Sequence, residues 1–382
     1  MPAKKATKAK TAKTAKKAAK AKRTAKKGEP LATYRAKRDF GVTPEPSPDV
    51  ELPDADHPRF VVQEHHARAM HWDFRLERDG VLVSWAVPKG LPPDPSVNHL
   101  AVQTEDHPMS YIDFAGEIPK GEYGGGTVQV WDHGWYELEK WEPREVKVTL
   151  HGERVEGRYV LIKTRDKQWL MHRMDPPQDP DREPFPAGLR PMLAKKGKLP
   201  DDDDHYGFEI AWGGRRVLIY GEGGRVEVED ADGKTIGDRY PELSQLGRAL
   251  GSREVVLDGE LVAIDKNEQP VPGEPPDRAD VQSASALRRA ARDHPIAVML
   301  FDVLYCEGHM TTDLPYTERR QRLAGLKLSG PNWQTPAFHA GDGAALLEAA
   351  RAQGVPGVVA KRLDSKYHVG KRSADWILVA AK

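Results

Sequence analysis

Polar and apolar side chains alternate through FVVQEHHARAMHWDFRLE, residues 60–77. In its second half Trp72, Phe74 and Leu76 fall on one side, and His71, Asp73 and Arg75 on the other. That two-residue period is the mark of a strand with one buried face. Just upstream, Gln63 and His65 share the same spacing. Asp79-Gly80 predicts a hairpin turn into a second strand at 81–87, which runs into Pro88-Lys89-Gly90, a turn that presents Lys89. Strand patterns recur at 99–105, 127–131, 146–150 and 157–162. Many short strands at this spacing predict a β-barrel or a sandwich. Residues 175–186, rich in Pro and Asp, read as a linker. Beyond it the pattern mixes strands at 217–220, 255–264 and 297–305 with helices at 283–292, 317–324 and 344–352. This predicts a second domain of α+β class.

The 382 residues carry no net charge, but the balance is uneven. Residues 1–28 hold eleven Lys, one Arg and no acid, leaving 46 basic against 58 acidic residues in the rest. A basic arm on an acidic body suits a nucleic-acid partner, and its Lys/Ala/Thr composition predicts a disordered tail. Such an arm would bind DNA in a salt-dependent, sequence-blind way. The acid run at 201–204 reads as a solvated loop. No apolar run approaches the roughly 20 residues needed to cross a bilayer, and the N-terminus has no apolar signal core. The single cysteine, Cys306, excludes an internal disulfide and any Cys-rich metal site. A cytoplasmic, nucleoid-associated protein is expected.

The polar face of residues 63–75 carries the candidate chemistry. Two imidazoles and a carboxylate at this spacing suit a divalent metal, and the neighbouring Arg75 suits a phosphate. A metal beside a phosphate clamp points to phosphoryl chemistry. An isolated His-x-Asp on a strand is usually only a hydrogen-bonded surface pair. The same ligands also describe a non-haem iron oxygenase.

Residues 31–175 resemble the 3′-phosphoesterase domain of bacterial DNA ligase D. The matching stretches are YRAKRDFGVTPEP, FVVQEHHARAMHWDFRLE, SWAVPKG, TEDHP and GEYGGGTVQVWDHG. The resemblance implies a β-barrel holding a divalent metal, typically manganese, on His65, His71 and Asp73. It places phosphate-contacting and catalytic groups on Arg38, Asp39, Glu45, Gln63, Arg75, Lys89, Glu105, His107 and Tyr111. Either His107 or Tyr111 would protonate the leaving oxygen. Where the family usually has Arg, this chain has His99, a weaker phosphate clamp.

After a linker at 176–188, residues 189–382 are similar to the adenylation domain of ATP-dependent DNA ligases, a nucleotidyltransferase fold. LRPMLA, FEIAWGGRR, LDGELVAID, MLFDVLY, GVVAKR and DWILVAAK carry the match. The family's nucleophilic Lys falls on Ala211, and the Asp of that motif on Gly213. An alanine has no amine to adenylate. Pro356, Leu378 and Ala380 replace a metal-binding acid and two phosphate-cradling lysines. Asp258, Glu260, Phe301 and Lys361 remain, the last three as a vestigial nucleotide site. No room is left for the OB-fold that follows in active ligases. The expectation is a Mn²⁺-dependent enzyme that heals DNA ends bearing a 3′-phosphate or 3′-ribonucleotide, joined to an inactive ligase-like domain without a working ATP site. Its partners would be DNA, Ku and a separate ligase. The rival readings are a non-catalytic DNA-end scaffold and an active ATP-dependent ligase.

Overall fold

The computed structural model describes residues 31–48 and 55–381. The basic tail lies outside them. The first half opens with helix α1 (Ala32–Lys37). Strands β1 (Arg59–His66), β2 (Met70–Arg78), β3 (Val81–Val87), β4 (Asn98–Gln103), β5 (His107–Pro108) and β6 (Gly116–Ile118) follow. β7 (Gly126–Glu142), β8 (Glu145–Gly152), β9 (Glu156–Arg165) and β10 (Gln168–Arg173) complete this half.

Antiparallel pairing runs β1-β2-β3-β4-β10-β9-β8-β7, and β7 returns to β1. The ring is therefore a closed barrel, which leaves no free edge among these strands. Phe60, Val62, Trp72, Phe74, Leu76 and Trp85 point into it and meet Tyr136, Leu150 and Trp169. The stretch at 60–77 is two strands, not one, because the chain turns back at 67–69 and His65 pairs with His71. Asp79 and Gly80 make the expected turn, with φ of 50° and 78°. β7 is much longer than its apolar core at 127–131 suggests. Asp132, inside it, is buried and accepts from the backbone N–H groups of Glu153, Arg154 and Val155. A carboxylate that serves three amides of a facing turn gives no signal in hydrophobic periodicity.

The second half contains β11 (Leu193–Lys196), β12 (Tyr206–Ala211), β13 (Arg215–Glu222), β14 (Arg225–Asp230), α2 (Ser244–Leu250), β15 (Val255–Ile264) and β16 (Pro270–Val271). Then come α3 (Ala284–Asp293), β17 (Ile296–Cys306), β18 (His309–Met310), α4 (Tyr316–Gly325), β19 (Trp333–Gln334) and β20 (His339–Ala340). α5 (Gly343–Ala352), β21 (Gly357–Arg362) and β22 (Arg372–Ala380) close the chain. One sheet runs β11-β22-β21-β12-β20 and the other β14-β13-β15-β17-β18. α2, α4 and α5 pack on these sheets. Arg319 of α4, fully buried, donates to both oxygens of buried Asp302 on β17 at 2.8 and 3.0 Å. The acid run is not merely solvated, since Asp203 accepts from Gly343 N–H at 2.9 Å where α5 begins.

Closure of the barrel depends on one glycine. A Cβ on Gly126 would collide with the His66 carbonyl across the β1–β7 seam, and its φ of +150° disfavours other residues. Gly126→Ala should cost about 1–3 kcal/mol of stability in chemical denaturation. Gly325→Ala, in α4 with nothing within 4 Å of its Cβ position, should be neutral or stabilise by up to about 1 kcal/mol. Equal stability for the two variants would contradict the seam's role.

Candidate active site

The β1–β2 register places His65 opposite His71 and Gln63 opposite Asp73. All four side chains thus share the outer face of one hairpin. The sequence reads that face as open, but the structure covers it. Asp73 is 6% exposed and Arg75 2%. The cover brings Arg38, Glu45, Glu105, His107 and Tyr111 down onto the face.

The ligand atoms of His65, His71 and Asp73 lie within 4.8 Å of one another. His65 Nδ1 is 3.3 Å from Asp73 Oδ2, and His71 Nε2 is 3.7 Å from Asp73 Oδ1. Each ring is anchored through its other nitrogen. His65 Nε2 meets the Gly124 carbonyl at 2.7 Å, and His71 Nδ1 meets the Ala69 carbonyl at 3.0 Å. A carbonyl can only accept, so those nitrogens carry the protons. The other nitrogen of each ring faces Asp73 and is the one placed to coordinate a metal. Metal-binding histidines have this arrangement, and the residues present fit a divalent ion.

Arg75 compensates the buried carboxylate. Its guanidinium lies 3.0 Å from Asp73 Oδ2. It also donates to Gln63 Oε1 at 2.7 Å and Ser84 Oγ at 2.9 Å, and approaches His107 Nδ1 at 2.8 Å. Burial alone would raise the Asp73 pKa, but Arg75 and the two imidazoles hold it well below the usual carboxylate range. Arg75 is therefore largely engaged within the protein and is not a free phosphate fork.

A second guanidinium completes the network. Arg38 binds Glu45 at 2.7 Å and Glu105 at 3.2 Å, and lies 3.3 Å from His107 Nε2. Burial, then the charges of Arg75 and Arg38, push His107 well below the ordinary histidine value. It is an uncharged imidazole between two cations. Tyr111 donates to Glu45 Oε1 at 3.0 Å, and burial pushes its pKa up. Lys37 pairs with Glu105 at 2.7 Å and, despite the burial of that carboxyl, helps hold it below its usual value.

Arg38, His65, His71, Asp73, Arg75, Glu105, His107 and Tyr111 line one cleft of about 980 Å³. Gln63 and Glu45 stand behind them as hydrogen-bond partners. Two expected residues lie elsewhere. Asp39 is exposed and accepts from Gly41 N–H at 3.1 Å within its own turn. Lys89 reaches the second domain, where it pairs with Glu222 at 2.6 Å. His99 is buried and meets the Gly90 carbonyl at 2.8 Å through Nδ1. Its position in β4 keeps it off the cleft lining. Sequence reasoning missed Gly124, Ser84, Arg68, Lys120 and Arg248. GEYGGG reads as a turn, but nothing in it says that one carbonyl would orient His65. For Arg248, far along the chain, no local signal exists.

In the second half, Ala211 ends β12 opposite Gly357. A Cβ on Gly213 would meet Pro356 Cγ at 2.9 Å. Lys361 is buried 2.5 Å from Glu209 and lies 4.4 Å from the Phe301 ring centre. Arg216 lies 4.6 Å from the same ring centre and binds Asp258 through two contacts of 2.6 Å. Glu260 pairs in register with Arg216, and burial pushes its carboxyl up. The retained residues thus do come together.

A barrel bearing this His-His-Asp cluster beside buried guanidiniums has the donor set for a divalent ion next to fixed cations. Residues 63–163 match the family model of the DNA ligase D 3′-phosphoesterase domain, and residues 191–379 match the ATP dependent DNA ligase domain. With both in one chain, the protein belongs to the DNA ligase D family. It is 42% identical over 352 residues to the multifunctional non-homologous end joining protein LigD of Mycobacterium bovis, covering 91% of this chain and 44% of that one. For the Pseudomonas aeruginosa protein of that name the identity is 36% over 406 residues, covering 91% and 47%. A solved mycobacterial DNA ligase D complexed with ATP and MES matches at 32% identity, covering 50% of this chain and 60% of that one, with a TM-score of 0.41. The chain spans under half the length of these curated relatives. Among the described residues, no helix is long and apolar enough to cross a membrane.

His99 and His107 are both held uncharged, chiefly by burial. The unfolded chain binds protons at these positions below about pH 6.5, whereas the folded chain does not. Stability should therefore fall as pH drops below about 6.5 towards the lowered folded values, by up to about 1.4 kcal/mol per pH unit for each histidine. Denaturant unfolding between pH 7.5 and 5.5 measures this slope. His99→Gln should reduce it by one proton's share, and an unchanged slope would count against the assignment.

Proposed function

We propose that this chain is a metal-dependent DNA 3′-end-healing phosphoesterase joined to a ligase-like domain that does not self-adenylate. The observation that carries the reading is the paired anchoring of His65 and His71, which turns the other nitrogen of each ring towards Asp73. Manganese or another divalent ion held by these three residues supplies Lewis-acid polarisation of a phosphoryl oxygen. Arg75 fixes the ligand carboxylate, and Arg38 with Lys37 balances Glu45 and Glu105, so the bound ion would bring the positive charge that an anionic ester requires. His107, uncharged, spaces the two guanidiniums. Tyr111 keeps its proton and is the donor to the leaving oxygen. The substrate is DNA ending in a 3′-phosphate or 3′-ribonucleotide. The product is a 3′-OH for another ligase to seal, with Ku as a partner at the break, in the cytoplasm at the nucleoid. Lys89 and Asp39, off the cleft, have no part in the chemistry.

For the second domain, the reading rests on Ala211 and on how the retained charges are used. Lys361 neutralises Glu209, and Arg216 neutralises Asp258, both within the core. These pairs give the residues a folding role without a nucleotide.

Release of phosphate from a 3′-phosphorylated primer should require Mn²⁺. His71→Ala, at a half-buried position, should fall to background while the protein stays folded. Asp73→Ala removes the same activity but also strands buried Arg75, at a cost of about 3–5 kcal/mol. Wild-type trimming by His71→Ala would show that the metal site is misassigned. Mn²⁺-independent DNA binding with no turnover would favour a scaffold instead.

Incubation with radiolabelled ATP and Mg²⁺ should leave no covalent, alkali-stable AMP on the protein in a denaturing gel. Ala211→Lys alone should not restore it, because Gly213, Pro356, Leu378 and Ala380 still lack the family's partners. A covalent adduct on the wild-type chain would overturn the inactive-ligase reading, and its peptide would name the lysine responsible.

A further inference from the structure

The cleft is not built by the barrel alone. Arg248, on α2 of the ligase-like half, is exposed and lines it together with the metal ligands. Its Nη2 donates to the Arg68 carbonyl at 3.3 Å. Arg68 sits in the turn between β1 and β2, three residues before His71. The contact is set by close docking of the two halves. Gly224, between β13 and β14, lies so near the barrel that a Cβ would collide with Met70 Sδ. A Cβ on the adjacent Gly223 would be 3.1 Å from the Pro88 carbonyl. Lys89 and Glu222 pair across the same seam. α2 is held against this turn, since a Cβ on Gly247 would be 2.6 Å from Gly224 O. Both glycine contacts need the absence of a side chain. The approach that delivers Arg248 is therefore written into the surfaces that meet.

We propose that Arg248 is a substrate-positioning residue of the phosphoesterase cleft, supplied by the ligase-like domain to grip a backbone phosphate of the DNA strand that leads to the metal. This rests on the reading of the cleft as a DNA 3′-end site. A guanidinium has five N–H donors, and one is engaged on Arg68. The rest suit a phosphodiester, in the fork geometry that arginine offers. Arg75 and Arg38 are less suited to this role, because most of their donors are committed to Asp73, Gln63, Ser84, Glu45 and Glu105. The cleft mouth also holds Arg68 and Lys120, with Glu117 and Glu122. Only Arg248 among these cations comes from the second domain. The ligase-like half thus serves the first half's substrate without ligating anything itself.

The test is binding of a fluorescent primer ending in a 3′-phosphate to the full chain in EDTA, where nothing turns over. Arg248→Ala should weaken affinity about tenfold and lower the slope of log affinity against log salt by about one. Arg288→Ala, which removes an equal charge from the exposed side of α3, should change affinity by less than twofold. With Mn²⁺, Arg248→Ala should raise KM for the primer in the same ratio and keep kcat. Thymidine 3′-monophosphate, which has no upstream phosphate, should be processed as by the wild type. Unchanged affinity and slope in Arg248→Ala, or an equal loss in Arg288→Ala, overturns the proposal. If the wild type shows no Mn²⁺-dependent release at all, the phosphoesterase reading fails, and the binding comparison still decides the role of Arg248.

Discussion

The buried charge of Asp73 is the constraint on which the site depends. A carboxylate nearly out of contact with water stays ionised only if opposite charge is close and fixed. Arg75 supplies that charge, and three of its remaining donors are spent on Gln63, Ser84 and His107. Arg75 is itself a buried cation, so its position is specified by the same contacts. The chain of consequence continues through His107 to Arg38, and from Arg38 to Glu45 and Glu105. Alternating charges thus extend from the metal ligands to the first helix. Buried ion pairs are a weak source of net stability, but removing one partner is costly. The network therefore acts mainly to fix geometry, which a metal site requires.

The barrel provides the rigid base for that network. β1 and β2 place four of its members in register, and closure onto β7 keeps β1 from being an edge. Apolar side chains of the same strands fill the barrel interior, so the hairpin cannot slip without exposing Phe74 or burying Arg78. A one-residue slip would reverse both faces at once. The loop before β7 is part of the site as well, since Gly124 fixes His65 through its carbonyl.

In the second half, buried charges are paired with one another. Lys361 with Glu209, Arg216 with Asp258 and Arg319 with Asp302 form a set of internal ion pairs across the sheets. The Phe301 ring has cationic groups within about 5 Å of its centre on two sides. These pairs hold the sheets of this half together by themselves.

Much of this was legible from the sequence. Alternation in 60–77 determined which side chains face inward, because a strand has a period of two whatever its surroundings. The Asp79-Gly80 turn was equally local, since the positive φ it needs favours those residues. The proposed metal ligands could be named together because they lie within nine residues on one hairpin, and Ala211 could be singled out because a missing amine is visible in a string of letters. The strand pattern left barrel and sandwich open and only the resemblance chose the barrel, since closure is a pairing between strands more than 60 residues apart. It could not tell that Lys89 turns to the other half, that Asp39 serves only its own turn, or that Arg75 is already committed. Those outcomes depend on which distant surfaces meet. Arg248 is the clearest case: it enters the cleft because two glycines let one domain approach another, and only the tertiary structure brings them together.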